Sequence, residues 1–196
     1  MNKIHVGVYE TLADWETGYA TVGLRQNGYE IVTVGLDASP VTTMGGIRIV
    51  PDITIDELSP EESSMLVLAG SETWDSGKLD AFGAKAAEFL SAGTPVAAIC
   101  GATAGMARQG LLDDREHTSA VVYYLMGQEA YKGAEHYVDA DAVTGGDLIT
   151  AGPTAPIEFA REIFTKLDVF TPAKRDAWYR LYKHSDPAAF EELNAE

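Results

Sequence analysis

The 196-residue chain holds one cysteine, Cys100, and four histidines. A lone cysteine excludes an intramolecular disulfide, and the closely spaced Cys and His sets that hold structural zinc are absent. A reducing cytoplasm is the expected compartment. Positive charge is also scarce: 14 Lys and Arg against 30 Asp and Glu leave a net charge of −16. Such a field repels phosphate backbones and anionic lipid surfaces, so neither nucleic acid nor membrane is an expected partner. No apolar stretch approaches the roughly 18 residues of a membrane span. Asp14 and Glu16 interrupt the N-terminal region before any signal-peptide core can form. Low-complexity tracts and repeats of roughly 20–50 residues are missing as well, which removes the disordered and solenoid classes.

What is present is 46% hydrophobic content, enough for one core. Apolar runs without strict alternation recur at 5–9, 30–36, 47–50, 65–69 and 95–99. Such runs read as strands buried on both faces, the habit of parallel sheets. Helical patterns lie between and after them, at 17–26, 79–90, 102–109 and 157–167. A further strand is expected at 116–120. A hairpin is expected from Ala142-Val143 to 148–151 through Thr144-Gly145-Gly146-Asp147. This alternation predicts an α/β fold, a three-layer flavodoxin-like sandwich with a mostly parallel central sheet, over residues 1–170. The tail, 171–196, is rich in Trp and Tyr, and two short helices broken at Ser185-Asp186-Pro187 are expected there. So many aromatic rings need a surface to cover, so the tail is expected to pack on the same domain or on a second subunit.

The most informative segment runs from Pro95 to Gly110, where an apolar strand enters Cys100 and small residues, Gly101 and Ala102, follow at once. This is the layout of a nucleophile elbow, a sharp strand-to-helix turn that tolerates only small neighbours. A helix N-terminus at the thiol favours thiolate. The competing reading is a buried structural cysteine. A second turn, Gly70-Ser71, ends strand 65–69 at the same sheet edge, where backbone N–H groups of Ser71 and Gly70 together with Gly101 can polarise a carbonyl. Gly70 to Gly77-Lys78-Leu79 is not a phosphate loop, because the glycine spacing is too long and Leu79 stands where a hydroxyl must bind magnesium.

Four segments, read in order, carry a resemblance: Asp14-Trp15-Glu16-Thr17, Val50-Pro51-Asp52, Leu68-Ala69-Gly70-Ser71 and Ala97-Ala98-Ile99-Cys100. With the late segment from Leu148 through Gly152-Pro153 to Ala160, they resemble the ThiJ/PfpI superfamily, which is related to class I glutamine amidotransferase domains. Within that superfamily the sequence looks most similar to the branch labelled glutamine amidotransferase-like or intracellular protease/amidase. The resemblance implies a Cys100 nucleophile touched by the Glu16 carboxyl, no metal or organic cofactor, and a homodimer. A protonated Glu16 would lower the Cys100 pKa, whereas an ionised one would raise it.

Two departures stand out. The positions where family members place a histidine hold Gly101 and, by a gapless count, Ala120. His117 and His136 are the candidate bases left, with His117 expected on the opposite face of a strand from Ala120. The late His-x-acid pair of a glutaminase triad is found only at His184-Ser185-Asp186, in the extension. The expected function is a cysteine-dependent enzyme acting on small carbonyl or amide substrates. The alternatives are a redox or stress protein whose Cys100 is oxidised to sulfinic acid without turnover, and an inactive binding domain.

Overall fold

The computed structural model describes residues 2–194. The chain runs β1 (Lys3–Gly7), α1 (Asp14–Gln26), β2 (Glu30–Gly35), β3 (Val41–Thr42), β4 (Arg48–Ile49), β5 (Ile53–Thr54), β6 (Met65–Leu68), α2 (Asp80–Ser91), β7 (Val96–Ile99) and α3 (Ala102–Arg108). It continues with α4 (Val122–Met126), β8 (Ala142–Gly145), β9 (Leu148–Ala151), α5 (Pro156–Lys166), α6 (Pro172–His184) and α7 (Pro187–Asn194). Seven strands form one sheet in the order β5-β2-β1-β6-β7-β9-β8. Every neighbouring pair in it is parallel except β8 with β9.

The central strands are parallel because they are apolar on both faces: every residue of β6 and β7 is buried. From β1 the chain crosses outward to β2, then returns to β6 on the other side of β1 and continues outward to β7 and β9. Right-handed crossovers running in opposite directions place their helices on opposite faces, giving an α/β sandwich. α1 and α5 meet where Gly23 lies under the Phe164 ring, and Gly83 of α2 lies against Gly105 and Gln109 beside α3. The direction changes between β1 and β6, and the loops at the carboxyl ends of β1, β6 and β7 gather there.

Two expected strands differ from the structure. Residues 47–50 supply only β4, which pairs with β3 in a separate two-stranded hairpin. Pro51 follows at once and has no N–H to offer a ladder. Residues 116–120 form no strand, only a single bridge from His117 to Tyr137. Both edges of β9 are already taken by β7 and β8. Side chains replace the ladder there: the Thr118 N–H donates to Thr150 Oγ1 at 2.8 Å, and Thr118 Oγ1 donates to the Ala140 carbonyl at 2.9 Å.

In the tail, α6 starts at Thr171, whose Oγ1 accepts from the Lys174 N–H, with Pro172 in the first turn. It stops at Ser185, which adopts the left-handed conformation at φ 54°. Trp178 is buried and meets Phe164 of α5 edge-on at 4.9 Å and Tyr19 of α1 at 6.2 Å. Among the described residues no helix is long and apolar enough to cross a membrane.

Candidate active site

Cys100 directly follows β7. Its N–H donates to the Ala151 carbonyl at 3.0 Å, prolonging the pairing of β7 with β9. The backbone then turns at φ 58°, a strained value for a residue with a side chain. The strain is held from below: Thr103 Oγ1 donates to the Cys100 carbonyl at 2.6 Å and meets Ser119 Oγ at 2.7 Å. Gly101 gives the turn its room, since a Cβ there would come within 3.1 Å of the Ser71 carbonyl and 3.3 Å of the Trp74 ring.

Glu16 lies in the first turn of α1 and is fully buried. Its Oε2 accepts the Gly70 N–H at 2.6 Å, and the carboxyl hydrogen-bonds the Cys100 thiol. Oε1 is buried and has no partner among the described residues. Gly70 lets these groups approach. A Cβ on it would be 2.8 Å from Cys100 Sγ and 2.9 Å from Glu16 Oε2. Because the Gly70 N–H is engaged by Glu16, Ser71 and Gly101 carry the backbone N–H groups available beside the sulfur. The Ser71 nitrogen is 3.4 Å from where a Gly101 Cβ would stand. The Ser71 side chain is turned away, donating to the Glu10 carbonyl at 2.7 Å.

Burial pushes the Glu16 carboxyl up to about 7, against the pull of the Gly70 N–H and the Cys100 thiol. Burial also pushes the Cys100 thiol up to about 12, helped by the Glu16 charge and hydrogen bond, while the Gly101 N–H pulls it down. The direction of this shift runs against the thiolate that a helix N-terminus favours. Two buried acids in hydrogen-bond contact resist ionising together, so the pair holds both protons below about pH 7 and, above it, one proton and one negative charge.

A cavity of about 270 Å³ opens over the sulfur, lined by Glu16, Gly70, Ser71, Cys100 and Gly101 together with Trp15, Met44, Asp75, Ala120 and Tyr124. Neither candidate base reaches it. His117 is buried elsewhere, with Nδ1 on the Arg115 carbonyl at 2.8 Å and Nε2 on the Tyr131 hydroxyl at 2.7 Å. Both ring nitrogens are thus occupied, and burial pushes its pKa down. His136 closes a short turn, Ala134–His136, and is half exposed beside Glu135. Ala120 does line the cavity, so the position that would carry an imidazole presents only a methyl group. Asp75 and Tyr124 are cavity residues that sequence reasoning missed. Tyr124 stands on α4, a helix of five residues too short to show periodicity. Among the described residues no group of three or more His, Cys, Asp or Glu is arranged to hold a metal ion.

The model of the DJ-1/PfpI family matches residues 2–166, which span the sheet, the elbow and Glu16. The chain belongs to the DJ-1/PfpI family. It is 39% identical to a protein named uncharacterized protease YoaZ of Bacillus subtilis (strain 168), over 97% of this chain and 95% of that one. It is 27% identical to deglycase PH1704 of Pyrococcus horikoshii, over 79% of this chain and 92% of the relative. The crystal structure of a thiJ/pfpI family protein from Bacillus anthracis superposes with a TM-score of 0.94 at 39% identity, covering 98% of this chain and 95% of that one. Within the DJ-1/PfpI family this chain thus places Cys100 beside a carboxyl partner and without an imidazole at the cavity.

Proposed function

We propose that this chain is a cysteine-dependent enzyme acting on small carbonyl or amide compounds, with Cys100 as nucleophile and Glu16 as proton carrier. The observation that carries this reading is the Cys100 thiol held at φ 58° in hydrogen-bond contact with a buried carboxyl that titrates near 7. Strain of this kind persists only where surrounding structure enforces it, and it gathers at reacting groups. The relatives' names, protease and deglycase, fit the same class.

In the first step the Cys100 sulfur bonds to the carbonyl carbon, and the carbonyl π pair moves onto oxygen. The thiol proton passes to ionised Glu16, and the Ser71 and Gly101 N–H groups face the oxyanion. Return of that proton to the oxygen gives a hemithioacetal. With an amide, the proton goes instead to the departing amine, leaving a thioester that water hydrolyses. Glu16 performs this transfer only when ionised, so the rate rises with pH through about 7.

The sulfinic-acid reading needs a thiolate, which burial and the Glu16 charge oppose. The test combines aldehyde and amide turnover with intact-mass detection of a Cys100 adduct. Turnover abolished in Cys100→Ser, with an acid limb near 7, supports the enzyme. A stable gain of two oxygens under peroxide without turnover overturns it. We also propose that the protein works in a cytoplasmic compartment as a homodimer.

A further inference from the structure

The cavity over Cys100 has an uneven chemical lining. Three carboxyl residues, Glu16, Glu72 and Asp75, line it, and no Lys, Arg or His does. Asp75 is exposed, and among the described residues no cation stands within ion-pair distance of it. The Tyr124 hydroxyl donates its only proton to Asp75 Oδ1 at 2.7 Å. Burial and the Asp75 charge hold that phenol well above its ordinary range, so Tyr124 stays neutral. With its proton engaged, the phenol offers the cavity only lone pairs, as does the Asp75 carboxylate.

Arg108, whose charge acts on Tyr124, does not relieve this. Arg108 directs Nε to Asp80 Oδ1 at 2.8 Å, one terminal nitrogen to Gln128 Oε1 at 2.8 Å and the other to the Trp74 carbonyl at 2.7 Å. Its donors are committed behind the cavity wall. The side of the cavity that Asp75 and Tyr124 form is therefore all acceptor and carries negative charge, and the chain's net charge of −16 adds a field of the same sign.

We propose that Asp75 and Tyr124 form the substrate-selecting wall of the Cys100 cavity, which takes carbonyl or amide compounds bearing a neutral or cationic hydrogen-bond donor and turns away those bearing a carboxylate or phosphate. The selection works in both directions: a hydroxyl, amine or amide N–H finds acceptors, and an anion meets a fixed like charge with no partner. This rests on the reading of Cys100 as the nucleophile.

Because the chain has one cysteine, two alkylating reagents of nearly the same shape test the wall directly. Iodoacetamide carries an amide N–H donor, and iodoacetate carries a carboxylate in its place. In each the Cys100 sulfur bonds to the methylene carbon, iodide leaves with the bonding pair, and the thiol proton is released. The ratio of the two rate constants is compared with that of N-acetylcysteine at about 0.5 M salt, which screens the long-range field. The expected ratio for the protein exceeds the small-thiol ratio at least about tenfold. In Asp75→Asn it falls most of the way back. Tyr124→Phe, which keeps the charge, retains the rejection of iodoacetate, and Glu191→Gln on α7 leaves the ratio unchanged. A change in thiol pKa alters both rates alike and cancels in the ratio.

A wild-type ratio equal to that of the small thiol, or one untouched by Asp75→Asn, overturns the selecting wall while leaving Cys100 a nucleophile. Failure of both reagents on the native chain, with normal reaction after unfolding in urea, overturns the nucleophile and the wall together.

Discussion

A carboxyl group buried without charge compensation is costly, and Glu16 shows where that cost falls. Its pKa rises from 4.5 in the unfolded chain to about 7 in the fold. The folded protein therefore binds the proton more tightly, and stability falls as pH climbs from about 4.5 to about 7, then levels. Glu16→Gln keeps an oxygen to accept the Gly70 N–H and never ionises. It is expected to flatten this slope and to be more stable than wild type at pH 8, by on the order of 1–3 kcal/mol. Urea unfolding at pH 5 and pH 8 measures the difference. The same change removes a charge that holds the Cys100 thiol up. Iodoacetamide should therefore alkylate Glu16→Gln at pH 8 roughly tenfold faster than wild type, although catalysis is lost with the proton carrier. His117 gives the contrasting case, a titratable group in structural use. His117→Ala strands the Tyr131 hydroxyl and the Arg115 carbonyl. It should cost about 2–4 kcal/mol while leaving the pH dependence of Cys100 alkylation as in wild type.

At the scale of elements, α1 does two jobs: its first turn delivers Glu16, and its later turns support α5. Two of its glycines separate these demands. A Cβ on Gly18 would meet nothing within 4 Å, whereas one on Gly23 would stand 2.3 Å from the Phe164 ring. Gly18→Ala should stabilise by about 0.5–1 kcal/mol through helix propensity alone. Gly23→Ala should destabilise by roughly 1–3 kcal/mol through overpacking. Thermal unfolding of the two variants provides the comparison. The contrast also marks what could be read in advance. The helical pattern of α1 was legible, but two exposed-looking glycines in one helix differ only by a ring from residue 164. Strands β1, β6 and β7 were legible because burial on both faces writes a continuous apolar run. The elbow was legible because strain demands Gly101 and Ala102 beside Cys100. The contact of Glu16 with the thiol was not readable from spacing, since it spans 84 residues of chain, and resemblance supplied it. Residues 116–120 misled because Thr118 has strand-like character but gives its N–H to the Thr150 side chain instead of a ladder. Asp75 and Tyr124 gave no local signal, because only the folded loop after β6 and the short α4 bring them together.

For the whole molecule, an apolar surface and a strong charge of one sign pull in opposite directions. Trp15 is exposed between two apolar hollows, one shared with Met44 and Ile47 and the other with Val22 and Tyr182. These residues join the hairpin, α1 and the docked tail into one surface next to the mouth of the Cys100 cavity. A contiguous patch of this kind is the feature that a second copy would cover, and a two-fold arrangement would close it. Each copy nonetheless carries a net charge of −16, so two approaching copies repel. The proposed homodimer therefore carries a signature that an ion-paired interface would lack: its dissociation constant should fall, by roughly tenfold or more, as ionic strength rises from about 0.02 M to about 0.3 M. Ile47→Asp places a charge in the patch without touching the core and should leave a monomer at micromolar concentration. Sedimentation equilibrium at the two ionic strengths reads both effects. A monomer under both conditions, or a dimer weakened by salt, would reject this surface as the dimer contact and leave the aromatic tail serving α1 and α5 alone.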